Sequence, residues 1–167
     1  TRAQVLHYGE NPHQKAAFYR NGESGPSLAT AKLAHGERLS YNNLNDASAA
    51  LELAAEFTQP AVVIVKHANP CGVAVGNRIE DAYARALACD PVSAYGGIIA
   101  VNRSITKAFA EGLGKLFVEV LIAPSVEADA LATLQARKKL RLLLTGAMPD
   151  AARPRMVFRS ISGGFLY

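Results

Sequence analysis

Cysteine is scarce in this chain, and long apolar runs are missing. Cys71 and Cys89 are the only two cysteines, too few for a disulfide framework, so stability has to come from a packed core. No stretch approaches the roughly 18 consecutive apolar residues of a membrane-spanning helix, and no membrane partner is expected. Charged residues make up only 19% of the chain while half of it is hydrophobic. That composition excludes a disordered chain. No internal repeat or low-complexity tract appears. Nothing resembling a secretory signal opens the sequence, which gives the expectation of a cytoplasmic protein. The net charge of +4 suits an anionic small molecule as well as nucleic acid and decides neither.

What is present amounts to one domain. A chain of 167 residues can bury about two-thirds of the surface that it exposes when unfolded. Both ends read as cuts. Thr1 is not an initiator methionine, and Ser162-Gly163-Gly164-Phe165-Leu166-Tyr167 stops on an apolar note. The expectation is a piece of something longer.

The sequence is organised around Val62-Val63-Ile64-Val65-Lys66-His67-Ala68-Asn69-Pro70-Cys71-Gly72. Four β-branched residues in a row predict a short strand buried on both faces, as in an open sheet covered by helices. Asn-Pro and Cys-Gly are turn signals, so a lysine and a histidine are expected at the C-terminal end of a core strand. Open α/β sheets tend to bind ligands at that edge. The plainer alternative is a lysine that marks where the strand meets water and a histidine on a surface turn.

Upstream, His7-Tyr8-Gly9-Glu10-Asn11-Pro12-His13-Gln14 is a donor-rich loop leading to a strand. A metal site from His7 and His13 has no supporting ligand nearby except Glu10. Residues 20–37 read as a connection with one short strand. Leu39-Ser40-Tyr41-Asn42-Asn43-Leu44-Asn45-Asp46 suits a helix entrance, and Leu44, Ala47, Leu51 and Ala54 follow on one face, with Pro60 as the stop. One asparagine suffices for a cap, which leaves others for a ligand. Asn77-Arg78-Ile79-Glu80 reads as a capping box opening a second helix that ends near Asp90-Pro91. The loop Val92-Ser93-Ala94-Tyr95-Gly96-Gly97 feeds a strand at Ile98–Val101; its glycines allow positive φ or a close ligand.

A third helix is expected over Ile105–Leu113 and a strand over Leu116–Pro124. Within that strand Glu119 is anomalous, because a buried carboxylate without a partner is costly. It either lies on an exposed face or meets a donor belonging to a ligand. Ser125 reads as the cap of a fourth helix, and Arg137-Lys138-Lys139 with Arg141 as a solvated charge run. Leu140–Leu144 is a strand, Thr145–Arg155 a loop and Met156–Ser160 another strand. The alternation of strands and helices predicts an α/β fold: a three-layer α/β/α sandwich with a mostly parallel or mixed sheet.

Four motifs in order resemble the AICAR transformylase portion of the bifunctional purine biosynthesis proteins: Tyr8-Gly9-Glu10-Asn11-Pro12-His13-Gln14, Ser40-Tyr41-Asn42-Asn43-Leu44, Val65–Gly72 and Gly96-Gly97-Ile98-Ile99-Ala100. The resemblance covers essentially the whole chain. It implies that residues 1–167 are the first of two cytidine-deaminase-like domains, without the cyclohydrolase domain and the second transformylase half. It implies transfer of a formyl group from the co-substrate 10-formyltetrahydrofolate to the 5-amino group of the aminoimidazole carboxamide ribonucleotide, AICAR. Lys66 and His67 match the family's catalytic pair. An aromatic amine must lose a proton as it attacks, and an imidazole suits that task; an ammonium can stabilise the oxyanion formed. The resemblance also implies substrate contacts from His7, Tyr8, Asn43, Gly96 and Glu119. It further implies a homodimer, with folate held by the missing half or by a second subunit, and no nucleic-acid partner.

One position departs. The family usually has Arg-Tyr-Gly where this chain has His7-Tyr8-Gly9, and a neutral histidine is a weaker phosphate partner than a guanidinium. No metal is expected: His67-Ala68-Asn69-Pro70-Cys71 superficially resembles a zinc-deaminase signature, but asparagine replaces the glutamate and the second cysteine is missing. A non-catalytic nucleotide-binding module of the same fold is the alternative reading.

Overall fold

The computed structural model describes residues 1–154 and 156–167. Its centre is a six-stranded mixed sheet, in the order β3-β8-β7-β6-β4-β5. In chain order the strands are β3 (Lys32–His35), β4 (Ala61–Lys66), β5 (Asn69–Val75), β6 (Gly97–Val101), β7 (Val118–Ala123) and β8 (Arg141–Leu144). Two hairpins stand apart from it, β1 (Arg2–Leu6) with β2 (Ala16–Tyr19), and β9 (Arg159–Ile161) with β10 (Gly164–Leu166).

The apolar run at 61–65 is buried throughout because both of its faces are covered. Val62 and Ile64 join Ile99, Val101 and Leu121 in one cluster with α2 (Ile79–Cys89), α3 (Lys107–Gly112) and α4 (Ala128–Gln135). Val63 and Val65 join Ile98, Ala100, Val120 and Ile122 in another with α1 (Tyr41–Ala55). Side chains on a strand alternate faces, so the two clusters lie on opposite sides of the sheet. At the far end of β4, Asn102 is buried and fully used. Its Oδ1 accepts from the Ala61 amide at 2.8 Å, and its Nδ2 donates to the carbonyls of Phe57 and Gln59.

Several local expectations are corrected. Asn69-Pro70-Cys71-Gly72 is not a turn but the start of edge strand β5, antiparallel to β4. The turn is His67-Ala68, with φ of 55° and 57°. Proline is tolerated at a sheet edge, and a register shift leaves Cys71 as an extra residue opposite Ile64 and Val65, as in a β-bulge. Asn77 forms no capping box: Arg78 occupies the N-cap of α2 without a side-chain bond. Glu80 instead meets Arg78 Nε at 3.2 Å and accepts from the Thr106 hydroxyl. Ser125 does not cap α4, whose N-cap is Glu127; its carbonyl accepts from the Ile105 amide at 3.0 Å, beside the bridge Ile105–Val126. The expected strand at Met156–Ser160 begins only at Arg159 and turns back as a hairpin. Arg155, the last residue of the expected loop, lies outside the described residues.

Strand direction matters most for the site. β6, β7 and β8 are parallel to one another, whereas β4 is antiparallel to β6. The C-terminal end of β4 therefore lies beside the N-terminal ends of the parallel strands, contrary to the edge expected for a parallel sheet.

Candidate functional site

Helix α1 gathers this edge together. Ser40 is its N-cap: the Ser40 hydroxyl accepts from the Asn43 amide at 3.1 Å, and Asn43 Oδ1 accepts from the Ser40 amide at 3.2 Å. The cap is thus a serine, and Asn42 and Asn43 lie inside the first turn. This box leaves the Asn43 Nδ2 group free to donate to Glu119 Oε2 on β7 at 2.7 Å. Asn43 is 4% exposed, so the bond is shielded from competing water. Glu119 therefore has a third solution beyond the two expected from sequence. Its partner is a side chain of the same chain, 76 residues away.

One turn further along, Asp46 accepts from the His67 amide at 3.2 Å and the Ala68 amide at 2.8 Å. Asn42 Nδ2, on the same helix, donates to the Glu10 carbonyl at 3.3 Å, which ties down the loop of residues 7–14. That loop is itself closed by Gly9 N to Gln14 O at 2.9 Å and by the Asn11 amide on Gln14 Oε1.

Lys66 is half-buried and donates through Nζ to the Tyr95 carbonyl at 2.8 Å. Gly96 follows with φ of 73°, a region that glycine enters without strain, and its amide donates to the Phe117 carbonyl at 2.8 Å. Lys66, Gly96, Asn43 and Glu119 are linked to one edge in this way. His67 is exposed at the same edge. His7 and Tyr8 stack edge-on, 5.4 Å between ring centres. Among the described residues no hydrogen bond or ring contact joins either of them to Lys66, His67, Gly96 or Glu119.

Beside Glu119 and Phe117 opens a cavity of about 370 Å³, also lined by Glu37, Lys138, Lys139 and Arg141. The charge run is thus divided in its duties. Arg137 donates to the carbonyls of Gly114 and Leu116, a structural use. Lys138, Lys139 and Arg141 surround the cavity. Cys71 is unlike a reactive thiolate. Burial first, and Asp90 second, push its thiol above the usual range, and Sγ lies 3.6 Å from the Ile64 carbonyl. Among the described residues no three His, Cys, Asp or Glu side chains gather as a metal-ligating group.

Sequence reasoning missed one participant. Asp46 lay within the polar run 42–46, but the excess noted there was of asparagine. Lys138 and Lys139 are exposed, as expected of a solvated charge run; that they line a cavity beside Glu119 follows from the pairing of β8 with β7, which leaves no local trace.

A mixed-sheet α/β domain that brings a lysine, a histidine and a hydrogen-bonded pair of buried Asn43 and half-buried Glu119 to one sheet edge has the make-up of a candidate small-molecule site. The chain belongs to the AICARFT/IMPCHase bienzyme family, whose model matches residues 1–167. It is 55% identical over 163 residues to the bifunctional purine biosynthesis protein PurH of Rhodospirillum rubrum, covering 98% of this chain and 31% of that protein. It is 56% identical over 169 residues to PurH of Caulobacter vibrioides, covering 99% and 32%. The chain spans about a third of the length of these curated relatives. Among solved structures, RibD of Acinetobacter baumannii gives a TM-score of 0.43 at 18% identity, over 56% of this chain and 33% of that one.

Proposed function

We propose that this domain is the nucleotide-binding part of an AICAR formyltransferase in purine biosynthesis. In that reading it is the first of two deaminase-like, three-layer α/β/α domains. One observation carries the reading. Tethers from α1 and the Lys66–Tyr95 bond draw the β4–β5 turn and the starts of β6 and β7 to a single edge.

The chemistry follows from what stands there. The amine of AICAR attacks the formyl carbon of 10-formyltetrahydrofolate and the His67 imidazole accepts the proton that the nitrogen loses; as the tetrahedral intermediate collapses, the bond from the formyl carbon to N10 breaks and tetrahydrofolate leaves, N10 taking up a proton. The Lys66 ammonium has three donors. With one on the Tyr95 carbonyl, the others are available for the oxyanion that forms on the formyl oxygen. Asn43 and Glu119 form a donor–acceptor pair for the polar groups of the base, and Gly96 lets the backbone approach the nucleotide. Folate comes from the remaining transformylase half or from a second subunit of a cytoplasmic homodimer. His7 supplies a weaker phosphate contact than an arginine would, and Lys138, Lys139 and Arg141 are a second source of positive charge within the same edge.

The test is His67→Ala in the full-length enzyme. Formyl transfer should fall about a hundredfold to ten-thousandfold, as expected for loss of a proton acceptor, while nucleotide binding changes little. Equal turnover of variant and wild type would remove His67 from the reaction. Nucleotide binding with no transfer by the wild-type enzyme would favour the non-catalytic module.

A further inference from the structure

The turn that carries His67 is one that its own residues disfavour. Two-residue hairpin turns with both central residues at positive φ are built by Asn-Gly and related pairs. Here they are His67 at 55° and Ala68 at 57°. Residues with a side chain are strained in the left-handed region, and they persist there only when the surroundings hold them. The sequence therefore specifies the turn weakly.

The surroundings hold it at three points. Both Asp46 carboxylate oxygens are engaged, Oδ2 by the His67 amide at 3.2 Å and Oδ1 by the Ala68 amide at 2.8 Å. Asn69 Nδ2 donates to the His67 carbonyl at 2.7 Å. An ionised carboxylate that accepts from two successive amides is a charge-assisted, two-point clamp. It comes from a helix that Ala47, Ala50 and Ala54 pack tightly onto the sheet, each with no exposed surface. The clamp fixes the backbone at a residue that is exposed at the site's edge, where a proton acceptor can be reached by a substrate.

We propose that Asp46 is the positioning residue of the site. It holds His67 and Ala68 left-handed and thereby aims the His67 ring at the reacting amine. The assignment rests on the formyltransferase reading given above. Misplacing a catalytic group by about 1 Å costs roughly a hundredfold in rate, so the expected signature is a loss in kcat with nucleotide binding retained.

The test uses the full-length enzyme, with Asp46→Ala, Ala68→Gly and the double variant. Ala68→Gly removes the strain at one turn residue without touching His67, so it separates stability from aim. Asp46→Ala should lower kcat about tenfold to a hundredfold, keep the KM for the nucleotide within about twofold, and speed hydrogen exchange of the His67 and Ala68 amides. Adding Ala68→Gly should recover the melting temperature but not kcat. Recovery of kcat together with melting temperature would overturn the proposal, because the carboxylate would then be only a structural prop. Wild-type turnover in Asp46→Ala would also overturn it. If Asp46→Ala does not fold, the same comparison is made between the double variant and Ala68→Gly alone. The formyltransferase reading fails separately, if wild-type enzyme transfers no formyl group. In that event faster exchange at His67 and Ala68 in Asp46→Ala still supports the clamp, and unchanged exchange refutes it.

Discussion

The two faces of the sheet are covered by the same kind of element to different ends. On one face α1 packs through Ala47, Ala50, Leu51 and Ala54. Its polar residues then reach three separate places: Asn42 the loop of residues 7–14, Asn43 strand β7, Asp46 the β4–β5 turn. On the other face α2, α3 and α4 pack through alanines (Ala82, Ala86, Ala110 and Ala130) together with larger groups, Tyr83 and Phe109 edge-on at 5.4 Å between centres. One polar link there, Glu80 to Thr106, joins helix to helix, and another, Arg85 Nη1 to the Val75 carbonyl at 3.2 Å, joins α2 to β5. Under the proposed function, one face positions the chemistry and the other supplies bulk. On the α1 face the short side chains of Asn43 and Asp46 span from the helix to strand ends.

Damage to the bulk face should cost stability without touching the site. Phe109 is 1% exposed, and Phe109→Ala should destabilise by about 3–5 kcal/mol. Chemical denaturation measures this, and the nucleotide affinity of the remaining folded enzyme should be unchanged. An affinity that falls in proportion would mean that the two faces are not separable.

A smaller change on the α1 face should do the reverse. Asn43→Ala removes half of the capping box and leaves Glu119 partly buried without its donor, worth about 1–3 kcal/mol. Nucleotide affinity should weaken by more than this loss of stability explains. Calorimetry of binding beside a melting curve distinguishes the two, and unaltered affinity would confine Asn43 to capping.

The smallest effect is on the bulk face and depends on pH. Burial would raise the Glu80 carboxyl, but the hydrogen bond from Thr106, its own amide and Arg78 outweigh that and hold it below the usual carboxylate value. A group depressed on folding adds stability above its unfolded pKa and loses it as pH falls through the folded one. The advantage of wild type over Glu80→Gln should thus be full at neutral pH and vanish on acidification below about pH 4. It should stay under about 1 kcal/mol. Melting temperatures of both proteins from pH 3 to 7, in roughly half-unit steps, would expose parallel curves if Glu80 has no such role.

Much of this was legible in the sequence, and the failures share a cause. The apolar runs at 61–65, 98–101 and 118–123 became core strands, and α1 and α2 follow their periodicity, because burial pattern is local information. The tetrad Asn69–Gly72 has turn composition yet forms a strand, since pairing with the strongly apolar β4 outweighs local preference. His67-Ala68 has no turn composition and yet turns, because Asp46 holds it from another element. The direction of β4 relative to β6 leaves no local trace at all. Glu119 was flagged correctly as anomalous, but its partner was too distant in sequence to be named.

The edge strand has a consequence for assembly. β5 ends the sheet with Pro70, which has no amide hydrogen, and with the ladder broken at Cys71. At the opposite edge β3 is only four residues long and also slips register. Neither border offers the long, regular row of free amides and carbonyls that a further strand requires. The sheet is closed to growth at both sides, so copies of this domain can be crowded together without templating one another into a continuous ribbon.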